Sequence, residues 1–249
     1  MRKTPILDAV IAAWSSEKAA GRTILDLSAG AGQSSERLAK LGFRVVTTEY
    51  GLPMPMSAGI ARVGGVNLNY PLPFRSGSFD AVNIVEVIEH IENQPQLIRE
   101  IGRVLKPGGT FLVSTPNVLN LMSRMRFLFT GFLHGRIRPV HYSKKPGQAP
   151  NIYLLHFYEL YYLLFHSGFR VSELRRTRVK LPSRVFLFLL WPLLRVFSML
   201  AIVYAEKDPV QRADNRQVLS FMLDPAILLS NNIVVKARKS ANGENRPGS

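Results

Sequence analysis

Glu86, Glu89 and His90 stand at i, i+3 and i+4 in the run Val85-Glu86-Val87-Ile88-Glu89-His90. Where a strand runs into a helix, that spacing lets three side chains share one face. Two carboxylates and one imidazole are ligands for a divalent cation, and His156, far along in Leu155-His156-Phe157-Tyr158-Glu159, could return as a fourth. Oxygen and nitrogen donors without sulfur suit Mg²⁺, Mn²⁺ or Fe²⁺ better than a structural zinc site. A cation chelating two adjacent hydroxyl oxygens would acidify one and aim it at an electrophile. Without a metal, His90 or His156 becomes the candidate general base. The alternative is that these residues are structural, with His90 capping a helix; His134, His141 and His166 read as surface or packing residues.

A second pattern lies upstream. The apolar run Thr23-Ile24-Leu25-Asp26-Leu27 ends at Ser28-Ala29-Gly30-Ala31-Gly32, and a helical pattern follows from Ser34 to Leu41. Glycines let a backbone approach a ligand where a Cβ would collide, and the next helix offers free N–H groups. Glu49 lies 23 residues after Asp26, at the end of the β-branched run Phe43–Thr48. There it can accept hydrogen bonds from both hydroxyls of a ribose. The competing reading is a tight turn and nothing more.

The elements that position these residues alternate. Strands are predicted at 23–27, 43–48, 79–85 and 110–114, and helices at 34–41 and 88–105, with Lys106-Pro107-Gly108-Gly109 as a turn. Strands separated by helices mean βαβ units and a parallel sheet, so the fold class is α/β. Residues 1–20 read as an amphipathic helix (Ile6, Leu7, Val10, Ile11, Trp14) rather than a secretory signal, which suggests a cytoplasmic start. Beyond 117 come an amphipathic helix over 118–133, a loop over 136–150, a helix over 157–166, a strand over 169–174 and a closing strand over 232–238. In the first of these, Leu121, Met125, Leu128 and Phe132 form the apolar face, with Asn120, Ser123 and Arg124 opposite.

Three further motifs, Pro71-Leu72-Pro73-Phe74, Ser78-Phe79-Asp80 and Leu105-Lys106-Pro107-Gly108-Gly109, follow the glycine loop in order. Together the series resembles the class I S-adenosylmethionine-dependent methyltransferases, in the broad group with ubiquinone-biosynthesis and small-molecule O-methyltransferases. The resemblance covers roughly residues 20–117 and weakly 150–175 and 230–238. It implies a Rossmann-like sheet with helices on both faces and S-adenosylmethionine as cofactor. Asp26, Ser28, Ala29, Gly30 and Gly32 would line its methionine end, with Glu86 packed beneath. Glu49 would hold the ribose, and Asn67 and Leu68 would flank the adenine. Two positions depart from the family: Ser28 replaces a usual Gly and needs a permissive backbone, and Asn67 replaces a usual Asp. The Glu-x-x-Glu-His segment and the later His also resemble the metal signature of small-RNA 2′-O-methyltransferases. A dehydrogenase would want Gly or Ala where Ser35 stands and has no use for Lys-Pro-Gly-Gly.

Composition narrows the partner. The chain has 249 residues, a formal charge of +15 and no cysteine, which excludes disulfides, thiolate metal sites and thiol nucleophiles. Residues 1–120 hold 12 basic and 10 acidic residues, and 121–249 hold 20 and 7. Residues 185–204 are apolar except for Pro192, Arg195 and Ser198. A central Arg and a closing strand beyond argue against one crossing of a bilayer. A re-entrant hairpin bent near Trp191-Pro192, an interfacial helix or a buried dimer helix are the readings left. Arg124, Arg126, Arg136, Arg138, Lys144 and Lys145 on one side, and Arg170, Arg175, Arg176, Arg178, Lys180 and Arg184 on the other, suit anionic headgroups. The organisation expected is an N-terminal helix (1–20), a cofactor-binding core (21–117), an acceptor lid with sheet completion (118–180), a hydrophobic membrane-associating insertion (181–231), a last strand (232–239) and a tail (240–249). The function expected is O-methylation of a lipid-linked or membrane-derived acceptor, peripheral or monotopic at the cytoplasmic side of a membrane. The alternatives are an RNA ribose 2′-O-methyltransferase and a non-catalytic scaffold that binds the cofactor or a partner.

Overall fold

Short runs of branched and aromatic residues build the sheet, because alternate side chains on such runs bury on both faces. The computed structural model describes residues 5–51, 59–133, 153–177, 179 and 181–241. In chain order the elements are α1 (Pro5–Trp14), β1 (Thr23–Leu27), α2 (Gln33–Lys40), β2 (Arg44–Thr48), β3 (Ala61–Val63) and β4 (Phe79–Val85). A 3₁₀ turn (Ile88–His90), α3 (Gln94–Val104), β5 (Leu105–Pro116), α4 (Leu121–Thr130) and α5 (Phe157–His166) follow. The chain then forms β6 (Phe169–Arg176), α6 (Leu181–Ala205), α7 (Pro209–Met222), α8 (Pro225–Leu229) and β7 (Asn232–Lys239).

Seven strands lie in the order β3-β2-β1-β4-β5-β7-β6. The first five pair in parallel, but β7 runs antiparallel to both β5 and β6. The sheet is therefore mixed where a parallel one was predicted. Strand-by-strand alternation cannot reveal the reversal; the long helical excursion before β7 allows it. One face packs on α1 and α2 through Val10, Trp14, Leu38, Ile24 and Leu112. The other packs on α3 and α5 through Leu97, Ile101, Leu160, Leu164 and Phe111. The fold is thus the Rossmann-like α/β sheet, with helices on both faces, that the resemblance implies.

Several local readings are corrected. The helix predicted over 88–105 is a 3₁₀ turn and a shorter α3, whose N-cap Asn93 accepts from the Gln96 N–H. Lys106-Pro107-Gly108-Gly109 is not a free turn but part of β5, beside a register shift against β4. Gly109 is required there, since a Cβ would lie 2.9 Å from the Lys106 carbonyl oxygen. Lys106 pairs with Asp80 at 2.8 Å, which ties two of the motifs together. The third motif is clamped by α3: Glu100 accepts from the Leu72 N–H, and Arg103 donates to the Leu72 and Phe74 carbonyls.

On α4 the predicted faces hold only in part: Leu121 is buried as expected, but the far end of the apolar face and the polar side are not where periodicity put them. Asn120 and Ser123 are buried, Arg124 is half-buried, and Leu128 is 72% and Phe129 76% exposed. Burial here is decided by hydrogen bonds: Asn120 caps the helix through the Ser123 N–H and donates to the Asn117 carbonyl. Residues 205–231, unread in the sequence, carry α7 and α8. The apolar stretch is one 25-residue helix with Pro192 inside it, not a re-entrant hairpin. Among the described residues no helix is long and apolar enough to cross a membrane. The loop read at 136–150, with its basic residues and His141, lies outside the described residues, as do His134, Arg178, Lys180 and the end of the tail.

Candidate functional site

At the C-terminal ends of β1 and β4 a cleft of about 270 Å³ opens. Asp26, Leu27, Ser28, Ala29, Ala31, Gln33, Ser34, Val85 and Glu86 line it, and Ile6 and Leu7 of α1 close one side. Parallel strands place their carboxyl ends, and the loops after them, on this one edge of the sheet.

Asp26 is 1% exposed at the end of β1. It accepts from Ser35 Oγ at 2.6 Å and from Asn83 Nδ2 at 2.7 Å. Asn83 also donates to Ser34 Oγ and accepts from Trp14 Nε1 at 2.9 Å. Because an indole N–H can only donate, this bond fixes which way the Asn83 amide points. Burial pushes the Asp26 carboxyl up to about 6, and the hydrogen bonds from Ser35, Asn83 and Ser34 draw it down only in part. None of Trp14, Ser34, Ser35 and Asn83 was expected at the site from the sequence. Asn83 had a visible signal, a lone amide inside the apolar strand Phe79–Val85.

Ser28 has φ of 54°, in the left-handed region that glycine tolerates and serine rarely adopts. The permissive backbone required at the Ser-for-Gly departure is thus what the loop adopts, with the Ser28 N–H on Thr48 Oγ1 at 3.0 Å. Glu86 shares this conformation, also at φ 54°. Its carboxylate accepts from Ser114 Oγ at 2.9 Å and from Asn232 Nδ2 at 2.6 Å, so β4, β5 and β7 meet on one side chain. Burial and the neighbouring Glu89 carboxylate raise it to about 7. Strain on a cleft-facing ionisable residue marks a functional position.

Around the cleft the other expected residues fall unevenly. Glu49 is absent from the lining but accepts from the Gly30 N–H at 2.9 Å, which holds it against the glycine loop. Gly32, with φ 75°, leads into α2. Asn67 is elsewhere: its Oδ1 accepts from the backbone and side-chain nitrogens of Asn69, and Leu68 is buried in the core. The oxygen expected to meet an adenine amino group is therefore engaged in a local turn.

The four-ligand metal reading is corrected by the same geometry. Among the described residues no three His, Asp or Glu side chains are gathered so as to hold a metal ion. Glu86 is turned by its left-handed backbone onto Ser114 and Asn232. Glu89 is buried, raised to about 7 by burial and bonded by Thr115. His156 is the N-cap of α5, its Nδ1 2.9 Å from Glu159 and its ring stacked on Tyr158. His90 sits half-buried on the 3₁₀ turn. Neither histidine lines the cleft.

Comparison with known proteins agrees with this architecture. Residues 25–113 match the methyltransferase domain family. A ubiquinone biosynthesis O-methyltransferase from Xanthomonas oryzae pv. oryzae is 34% identical over 109 residues, 39% of this chain and 44% of that relative. The matched region is thus under half the length of the curated relative. An S-adenosylmethionine-dependent methyltransferase from Mesorhizobium loti superposes with a TM-score of 0.54 at 15% identity, covering 94% of this chain and 100% of the other. Phosphoethanolamine N-methyltransferase 2 from Haemonchus contortus, solved with S-adenosyl-L-methionine, gives 0.52 at 18% identity over 93% of this chain and 51% of that one. At such identities the structural likeness shows the fold.

Proposed function

We propose that this chain, whose residues 25–113 form a methyltransferase domain, transfers a methyl group from S-adenosylmethionine to an oxygen of a lipid-linked or membrane-derived acceptor, such as a glycolipid sugar or a quinone precursor. The observation that carries the reading is a pair of carboxylates, the buried Asp26 and the half-buried Glu86, as the ionisable lining of the cleft. Both are bonded by neutral donors, and neither forms an ion pair among the described residues. Buried negative charge without a counter-ion is costly and favours a cationic ligand. S-adenosylmethionine is such a ligand, with a sulfonium and an ammonium group, so the residues fit it.

When bound, the cofactor supplies the activated methyl group. The chain's own work is to bind, orient and take a proton. Asp26 and Glu86 oppose the positive charge; Ser28 and Ala29 form the floor; Glu49, held on Gly30, is the carboxylate for the ribose. Leu68 anchors the segment after β3 in the core, and Asn67 orders its turn, on the side expected for the adenine. His90, on the turn four residues beyond Glu86 and outside the lining of the cleft, is the base we assign to the acceptor's proton, whereas His156 serves α5 as its cap. No step is assigned to a metal, because its expected ligands are committed elsewhere. The acceptor reading is supported by the exposed apolar helices on the same sheet end and by a relative named for ubiquinone biosynthesis.

The test incubates the purified protein with methyl-labelled S-adenosylmethionine and a membrane extract, followed by solvent partition. Label in the organic phase is expected, and its loss by about 100-fold in His90→Ala with cofactor affinity unchanged. Label confined to the aqueous phase would refute the lipid acceptor.

A further inference from the structure

We propose that α4 and α6 form one docking face for an anionic bilayer, on which α6 lies flat. The inference rests on the molecular surface and not on the chemistry of the cleft.

On α6, Leu187, Trp191 and Leu194 recur at i, i+4 and i+7 and pack against Leu121, Leu228 and Leu229. A surface helix in water would be polar on the opposite side. Instead Leu189, Val196 and Leu200 stand there at i, i+7 and i+11, and all are exposed, with Phe188 at 81% and Phe197 at 66%. Arg195 is the sole charged residue between 187 and 200. α4, packed on α6, adds exposed Phe127, Leu128 and Phe129. Two adjacent helices thus expose more large apolar side chains than scattered surface leucines account for.

Charge selects the occupant. Among the described residues of 118–205, Arg124, Arg126, Arg170, Arg175, Arg176 and Arg195 outnumber the acids Glu159 and Glu173. A second copy of this chain would set that basic surface against itself, whereas anionic headgroups complement it. A 25-residue helix is about 37 Å long, yet Pro192 and the charged Arg195 near its centre argue against a clean span. Lying in the interface satisfies both facts.

The face also has a fixed relation to the cleft. α4 leaves the carboxyl end of β5, and β7 begins there, with Asn232 opposite Pro116. Asn117 donates to the Ile227 and Ser230 carbonyls, anchoring α8 beneath α6, and Asn232 donates to Glu86. Docking therefore brings the bilayer to the end of the sheet where Asp26 and Glu86 open, which suits an acceptor that never leaves the lipid.

The experiment is flotation of the full chain with vesicles of phosphatidylcholine alone or with 30 mol% (about one lipid in three) phosphatidylglycerol, without cofactor. The expected result is flotation with the anionic vesicles, weakened by salt, and a tenfold or greater loss of the bound fraction in Leu189→Glu/Val196→Glu. Both substituted side chains point outward, and circular dichroism checks that the double variant folds. Arg126→Gln/Arg195→Gln, which leaves the apolar face intact, should lose binding to anionic vesicles more gently. Equal flotation of the Leu189→Glu/Val196→Glu variant, no flotation of the wild type, or a wild-type dimer that this variant dissolves would each overturn the proposal. Because no turnover is read, these outcomes stand apart from success or failure of methyl transfer.

Discussion

Replacing Asp26 by Asn separates what the cleft costs the fold from what it does for a ligand. The folded chain holds the Asp26 proton up to about pH 6, whereas an unfolded chain releases it near the ordinary 3.8. Between those values the folded state binds more protons, so stability falls as pH rises, and the loss is complete above the folded value. Two-state linkage gives a penalty on the order of 2 kcal/mol at pH 5, rising to about 3 kcal/mol at pH 7.5. Asn at this position removes the ionisation. Its Oδ1 accepts from Asn83, and the Ser35 hydroxyl can rotate to accept from its Nδ2, so no buried group loses a partner. Urea unfolding of the wild type and Asp26→Asn at the two pH values is the assay. Glu86 and Glu89 titrate in both proteins and cancel in the difference. The variant should be the more stable one, by a margin that grows by about 1 kcal/mol between pH 5 and pH 7.5. The same variant should bind S-adenosylmethionine at least about tenfold more weakly, since half the charge facing the cation is gone. A margin that does not change with pH, or a variant less stable at pH 7.5, would refute the reasoning about Asp26.

Two other predictions follow from backbone geometry and buried amides. Ser28→Gly relieves a left-handed serine while keeping the N–H bond to Thr48, and should stabilise the fold by up to about 1 kcal/mol, or about 2–4 °C in Tm; calorimetry showing a lower Tm would mean that the loop does not carry strain there. Asn117→Ala deprives the Ile227 and Ser230 carbonyls and the Leu119 N–H of a partner and should cost about 2–4 kcal/mol in urea unfolding, with hydrogen exchange accelerated first in α8.

Much of the sheet was legible because β1, β4 and β7 carry their own patterns: apolar alternation, a closing turn residue and the right length. Helix α5 was legible for the same reason, ending at His166 before Ser167 and Gly168. The segment after β4 was not. Its residues Ile88–His90 have helical spacing, yet Glu86 adopts φ 54° and the chain makes one 3₁₀ turn, because the Glu86 N–H bonds back to Ser114 on β5. Spacing assumes a continuous helix, and a contact 28 residues away broke it. The buried side of α4 was hidden likewise, since the hydrogen bonds that draw Asn120 and Ser123 inward have no trace in hydrophobic periodicity.

What the sequence determined by itself is local: the strand that presents Asp26, the glycine loop, the second-strand Glu49 and the asymmetry of charge and apolar length between the halves. These follow from short-range backbone preference and composition, which need no partner to express themselves. Only the tertiary structure decided which polar groups meet. Trp14 reached Asn83 from 69 residues away, and Asn232 reached Glu86 from 146. Long-range hydrogen bonds from Ser114, Asn232 and Thr115 likewise occupy Glu86 and Glu89, while His156 is held within its own helix by Glu159. A buried carboxylate takes whatever donor the folded core brings within reach, and that choice is made by packing.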